Sequence, residues 1–107
     1  MKFIIEYGCD GIGGEWLAVE AESLEKAEHY AYLSAFDYRD GYEGLHGVQN
    51  FTEFCEENEL DEERDESWEE YSAMIEEEIF YHAYDFDEED ELHLEVLKES
   101  GGKFFAV

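Results

Sequence analysis

The chain has 107 residues, and its 32 Asp and Glu against six Lys and Arg leave a formal net charge of −26. Phosphate neutralisation and docking on an anionic membrane both need a basic face, so the charge argues against nucleic acid and membrane as direct partners. A single domain is expected at this length.

High charge alone would suggest disorder. However, 17% of the residues are aromatic, and Leu, Ile, Val and Phe number 25 of 107, enough to build a core. A folded domain under self-repulsion is therefore expected. Met1 to Tyr7 lacks the charged start, long apolar stretch and small-residue cleavage site of a signal peptide, and no apolar run is long enough to span a membrane. Cys9 and Cys55 are too few for a disulfide framework. These features lead to the expectation of a cytoplasmic protein with free thiols.

In chain order, Lys2 to Tyr7 reads as a strand with Phe3, Ile5 and Tyr7 on one face. A glycine-rich connection leads to a second strand over Glu15 to Ala21, giving a hairpin. Ser23 is a candidate N-cap for a helix over Leu24 to Tyr38, where Leu24, Ala27, Ala31, Ala35 and Tyr38 recur at helical spacing. Gly41 to Gly47 breaks it, and Asn50 followed by Glu53 forms a capping box before a short helix with Phe51, Phe54 and Cys55 inward. A long helix is predicted from Glu62 or Ser67 to Tyr84, with Trp68, Tyr71, Ile75, Ile79 and His82 or Ala83 buried. Asp85 to Glu91 reads as a loop or helix exit, Leu92 to Leu97 as an alternating strand, and Lys103 to Val107 as a last strand. The order ββαααββ predicts an α+β domain, with a small antiparallel sheet of about four strands and helices packed on one face.

The charge is unevenly placed. Residues 1–50 carry −7 and residues 51–107 carry −19; between Glu53 and Glu91 there are 20 acids and one cation, Arg64. On a helix, residues three and four apart are neighbours, so these acids form a ladder opposite the aromatic stripe. The candidate partner-binding residues are Glu62, Glu63, Asp65, Glu66, Glu69, Glu70, Glu76 and Glu77 on the helix, and Asp85, Asp87, Glu88, Glu89, Asp90 and Glu91 beyond it. Duplex DNA carries one charge per about 1.7 Å of axis, so 26 charges match about 44 Å of duplex. A compact domain of this length would have a radius of gyration near 13 Å and a diameter of about 34 Å.

Other chemistry finds less support. Asp85 to Glu91 has acids but not the glycine of a calcium loop. His29, His46, His82 and His93 form no zinc motif, and acid neighbours are expected to favour the protonated forms of His82 and His93. The acidic setting makes either thiol a poor nucleophile. Gly8, Gly11, Gly13 and Gly14 miss the spacing of phosphate-binding loops and read as a flexible hairpin turn. No catalytic residue, metal site or cofactor is expected, and the chain reads as a non-enzyme.

The segment from Glu53 to Glu91, about a third of the chain, resembles the DNA-mimic proteins of phages and mobile elements in composition and charge placement. That resemblance implies inhibition of a DNA-binding host protein or nuclease, of the anti-restriction or anti-CRISPR type, by occupation of its basic DNA site inside a bacterial host. An immunity or antitoxin protein against a basic toxin such as a nuclease uses the same electrostatics. A non-inhibitory acidic adaptor or halophilic domain is the third reading. A homodimer is compatible with all three.

Overall fold

The computed structural model describes residues 1–45 and 47–107, so His46 lies outside the described residues. The chain runs through β1 (Lys2–Cys9), β2 (Gly13–Glu20), α1 (Leu24–Asp40), α2 (Phe51–Glu57), α3 (Asp65–Glu78), β3 (Ile79–Asp85), α4 (Glu91–Glu99) and β4 (Phe105–Ala106). This is an α+β fold whose four strands form one sheet in the order β3-β1-β2-β4. β1 is central and pairs antiparallel with β2, from Lys2 opposite Glu20 to Cys9 opposite Gly13. It also pairs antiparallel with β3, from Phe3 opposite Asp85 to Cys9 opposite Ile79.

The hydrophobic run in β1 explains its central place. Phe3, Ile4 and Ile5 are consecutive and all fully buried, which requires cover on both faces of the sheet. On one face Phe3, Ile5, Val19 and Ala21 pack against Ala27 and Ala31 of α1. The alanines repeat every fourth residue, so α1 presents a small-residue stripe that lies close on the sheet. On the other face Ile4 and Ala18 pack against Val96 of α4. A third cluster joins Ala35 of α1, Phe54 of α2, Tyr71 and Ile75 of α3, and Ile79. The expected caps form: Ser23 accepts from the Lys26 N–H at 3.2 Å, and Asn50 Oδ1 from the Glu53 N–H at 2.8 Å.

Two predicted elements change type. The long helix stops at Glu78, and Ile79 to Asp85 is strand β3 rather than its last turns. The helical stripe of Tyr71, Ile75 and Ile79 is real, but Ile79-Phe80-Tyr81-His82-Ala83-Tyr84 is rich in β-branched and aromatic residues and finds its hydrogen-bond partners on β1. Trp68, expected inside, is 55% exposed and packs edge-on against Phe51. Leu92 to Leu97, expected as a strand, lies in α4. Asp90 Oδ1 accepts from the Leu92 N–H at 2.9 Å and caps the helix, while His93 and Val96 turn inward at helical spacing. The apparent alternation of Leu92 and Leu94 is a pair of exposed leucines. The element order is therefore ββαααβαβ.

The sheet is mixed rather than purely antiparallel, because β4 joins β2 in parallel and is only two residues long. With α4 on the second face, the helices do not all share one side. The domain is also longer than a compact sphere. Its radius of gyration is 16.3 Å, against about 13 Å for a compact chain of this size, and its extents are 51 × 27 × 17 Å.

Candidate functional site: an acidic surface

Arg39 holds the acid-bearing helix in place. It continues the Ala27, Ala31, Ala35 stripe of α1 by one more step of four, and it is fully buried. Its Nε donates to Glu78 Oε2 at 2.8 Å, Nη1 to the Tyr71 hydroxyl at 3.0 Å, and Nη2 to the Gln49 carbonyl at 2.9 Å. The guanidinium also lies 5.3 Å from the Tyr71 ring centre. Tyr71 O–H lies 2.9 Å from Glu43 Oε1 and 3.1 Å from the Gln49 carbonyl, either of which can accept its proton. One side chain thus ties the end of α1 and the segment before α2 to the middle and the last residue of α3. Burial disfavours the arginine's charge, but the bonds to Glu78 and Tyr71 outweigh it and hold its pKa above the ordinary value.

Tyr71 is itself pushed up to about 12, first by burial and then by Glu43, against the opposing pull of Arg39. Tyr7, half-buried and donating to Glu15 at 3.0 Å, is also pushed up to about 12, chiefly by burial. The fold favours both neutral phenols over an ordinary value of 10. Their contribution is complete below pH 10 and is lost as pH rises through 12. Each shift corresponds to at most about 3 kcal/mol, less for the more accessible Tyr7. Urea denaturation midpoints should fall steeply between these two pH values, and Tyr71→Phe should flatten the fall. An unchanged slope in that variant would contradict this account.

On the outer side of α3, Asp65, Glu66, Glu69, Glu70, Glu76 and Glu77 are all exposed. Asp65 and Glu66 sit in the first turn, where the helix dipole favours them. Glu76, Glu77 and Glu78 occupy the last turn, where it opposes them, and no basic residue relieves them within the turn. Glu78 is answered by Arg39, and Glu76 accepts from the Tyr32 hydroxyl at 2.9 Å. Glu62 and Glu63 are exposed on the connection before α3, with Glu62 accepting from Thr52 at 2.6 Å.

The second predicted group lies elsewhere. α3 enters β3 at Ile79 and the chain leaves at Asp85, six strand steps or about 20 Å away. The structure therefore separates the α3 acids from Asp85, Asp87, Glu88, Glu89, Asp90 and Glu91 by the length of β3. Within that second group two residues do local work. Asp87 Oδ1 accepts from the Glu89 N–H at 2.9 Å, and Asp90 caps α4. Asp85, Glu88, Glu89 and Glu91 are exposed without such a task. The Asp87 N–H donates to His93 Nδ1 at 3.0 Å.

No protein-family model matches the chain, and neither curated proteins nor solved structures give a significant match. With Arg39 internal, the outward cations reduce to Lys2, Lys26, Arg64, Lys98 and Lys103, and Lys26 is paired with Glu22 at 2.6 Å. Spread along the 51 Å axis, the net charge amounts to about one per 2 Å, against about one per 1.7 Å for duplex DNA. The length exceeds the 34 Å or so expected for a sphere, which brings the body closer to the 44 Å or so of duplex with equal charge.

Both thiols are buried, and burial pushes the Cys9 and Cys55 pKa values up. Among the described residues, no group of three or more His, Cys, Asp or Glu is placed to hold a metal ion. An open depression of about 570 Å³ lies between Met1, Lys2, Glu20, Asp85, Phe86 and Glu88. No described helix is long and apolar enough to cross a membrane. Sequence reasoning counted Arg39 only as a cation. The signal for its burial was its place as the fourth member of an every-fourth-residue stripe.

Proposed function

We propose that this domain is a DNA mimic that inhibits a DNA-binding protein or nuclease, of the anti-restriction or anti-CRISPR type, by occupying its basic DNA site. The observation that carries this reading is duplex-like charge on an elongated body, with the acids of α3 displayed outward and almost free of cations. Carboxylates spaced along the axis pair with the Arg and Lys residues of a DNA channel, and the partner's bound counterions are released. In this reading the protein acts in the cytoplasm of a bacterial host, as a product of a phage or mobile element.

The test is a DNA-cleavage assay against a panel of restriction and CRISPR nucleases. Inhibition of at least one enzyme is expected, weakening steeply with salt and relieved by excess duplex. Glu69→Lys, Glu70→Lys, Glu76→Lys and Glu77→Lys together should abolish it. The variant should keep its circular dichroism spectrum, because lysines in the last turn suit the helix dipole. Inhibition retained by the quadruple variant, or unaffected by duplex, would sink the reading; the second result would instead favour blockade of a toxin's active site.

A further inference from the structure

We propose that the outer edge of β3 is a docking site for an extended, basic-flanked segment of the partner protein, which joins the sheet as a fifth strand. The inference rests on the reading above that the partner is basic, and it adds the manner of engagement.

β3 is the terminal strand of the order β3-β1-β2-β4, so among the described residues no strand lies beside its outer edge. At seven residues it spans about 23 Å. Proteins guard such edges with lysine, proline, bulges or very short strands. The opposite edge is guarded in the last way, since β4 is two residues long. β3 has none of these devices. From Ile79 to Tyr84 it carries no formally charged side chain with histidine neutral, in a chain where 36% of residues are charged. Tyr81 and Tyr84 are 40% and 42% exposed, and His82 is exposed between them. Alternation puts Tyr81 on the α1 side and His82 and Tyr84 on the α4 side, so an incoming strand would meet aromatic neighbours on both faces.

The charges at the two ends of β3 select the occupant. Glu76 and Glu77 precede it, and Asp85, Asp87 and Glu88 close or follow it. A second copy paired antiparallel would set each acidic end against the other, and a parallel copy would set like ends together. Both arrangements place carboxylate beside carboxylate, which disfavours self-pairing. A foreign strand with Lys or Arg at both ends meets opposite charge at both, while its backbone supplies the hydrogen bonds of strand addition.

The experiment uses the full chain and three synthetic peptides: a Val-Thr alternating core with lysine ends, the same core with glutamate ends, and the lysine-ended peptide with N-methylated core amides. The lysine-ended peptide should bind and slow hydrogen exchange within residues 79–85. The N-methylated peptide keeps the charge but cannot pair its backbone, and it should bind at least about tenfold more weakly. The glutamate-ended peptide should not bind. Equal binding of the N-methylated peptide, or protection confined to α3, overturns the proposal. Either result leaves the DNA-site reading to its own cleavage assay, since no nuclease is present in this measurement.

Discussion

Arg39→Ala is expected to destabilise the domain by about 3–5 kcal/mol, the range for removing one partner from a buried charge network. The side chain is fully buried and serves Glu78, Tyr71 and Gln49 at once. Its loss leaves the Tyr71 hydroxyl and the Gln49 carbonyl short of a donor, with a void at the junction of α1 and α3. It also leaves Glu43 and Glu78 without their cation, although both are about one third exposed and can recruit water. Small domains have only about 5–15 kcal/mol in total, and this one also carries its own repulsion. Arg39→Met retains most of the volume and should cost less than the alanine change. Urea denaturation of the two variants separates packing from polar loss. A change below about 1 kcal/mol for Arg39→Ala would show that the network is dispensable.

Gly8→Ala should cost about 3 kcal/mol, at the upper end for overpacking, because its obstacles are mostly backbone. A methyl group at Gly8 would run into the Gly13 carbonyl oxygen, and it would lie 2.6 Å from Gly14 Cα and 2.7 Å from Phe80 Cζ. The ring of Phe80 crosses the paired glycines Gly8 and Gly14, and a β-carbon on Gly14 would lie 2.8 Å from the same ring atom. Gly11 provides the contrast. It has φ +82° with nothing near its missing side chain, so Gly11→Ala carries only the left-handed backbone penalty of about 1–2 kcal/mol. Thermal melts should therefore rank Gly8→Ala below Gly11→Ala. The reverse order would mean that the hairpin opens to accept the methyl group. Phe80→Ala in the Gly8→Ala background should rescue only part of the loss, since the backbone contacts remain.

Much of the first half of the fold is legible in the residues. The β1–β2 hairpin, α1 with its alanine stripe and Ser23 cap, and α2 with its Asn50 cap follow from local chemistry that the tertiary structure leaves intact. Apart from Trp68, which lies on the surface, the errors fall after Ile75. A helical period and an aromatic, β-branched run overlap at Ile79, and local preference cannot say where one gives way to the other. Pairing with β1 decides it, because the edge beside Phe3 to Cys9 is open to receive a strand. Leu92 to Leu97 erred in the opposite direction: Asp90 as a cap and Val96 facing Ile4 and Ala18 outweigh a short alternation.

The candidate site divides along the same line. Composition alone established the charge, its concentration after residue 50, and the near absence of cations between Glu53 and Glu91. Those are counts, and folding does not alter a count. Only the tertiary structure decided that Arg39 turns inward, that Asp87 and Asp90 serve turns and a cap, and that β3 holds the two acidic groups about 20 Å apart. It also stretched the body to 51 Å. Distances between charges depend on where distant segments pair, and that pairing is set by the burial of β1 on both faces rather than by the acids themselves.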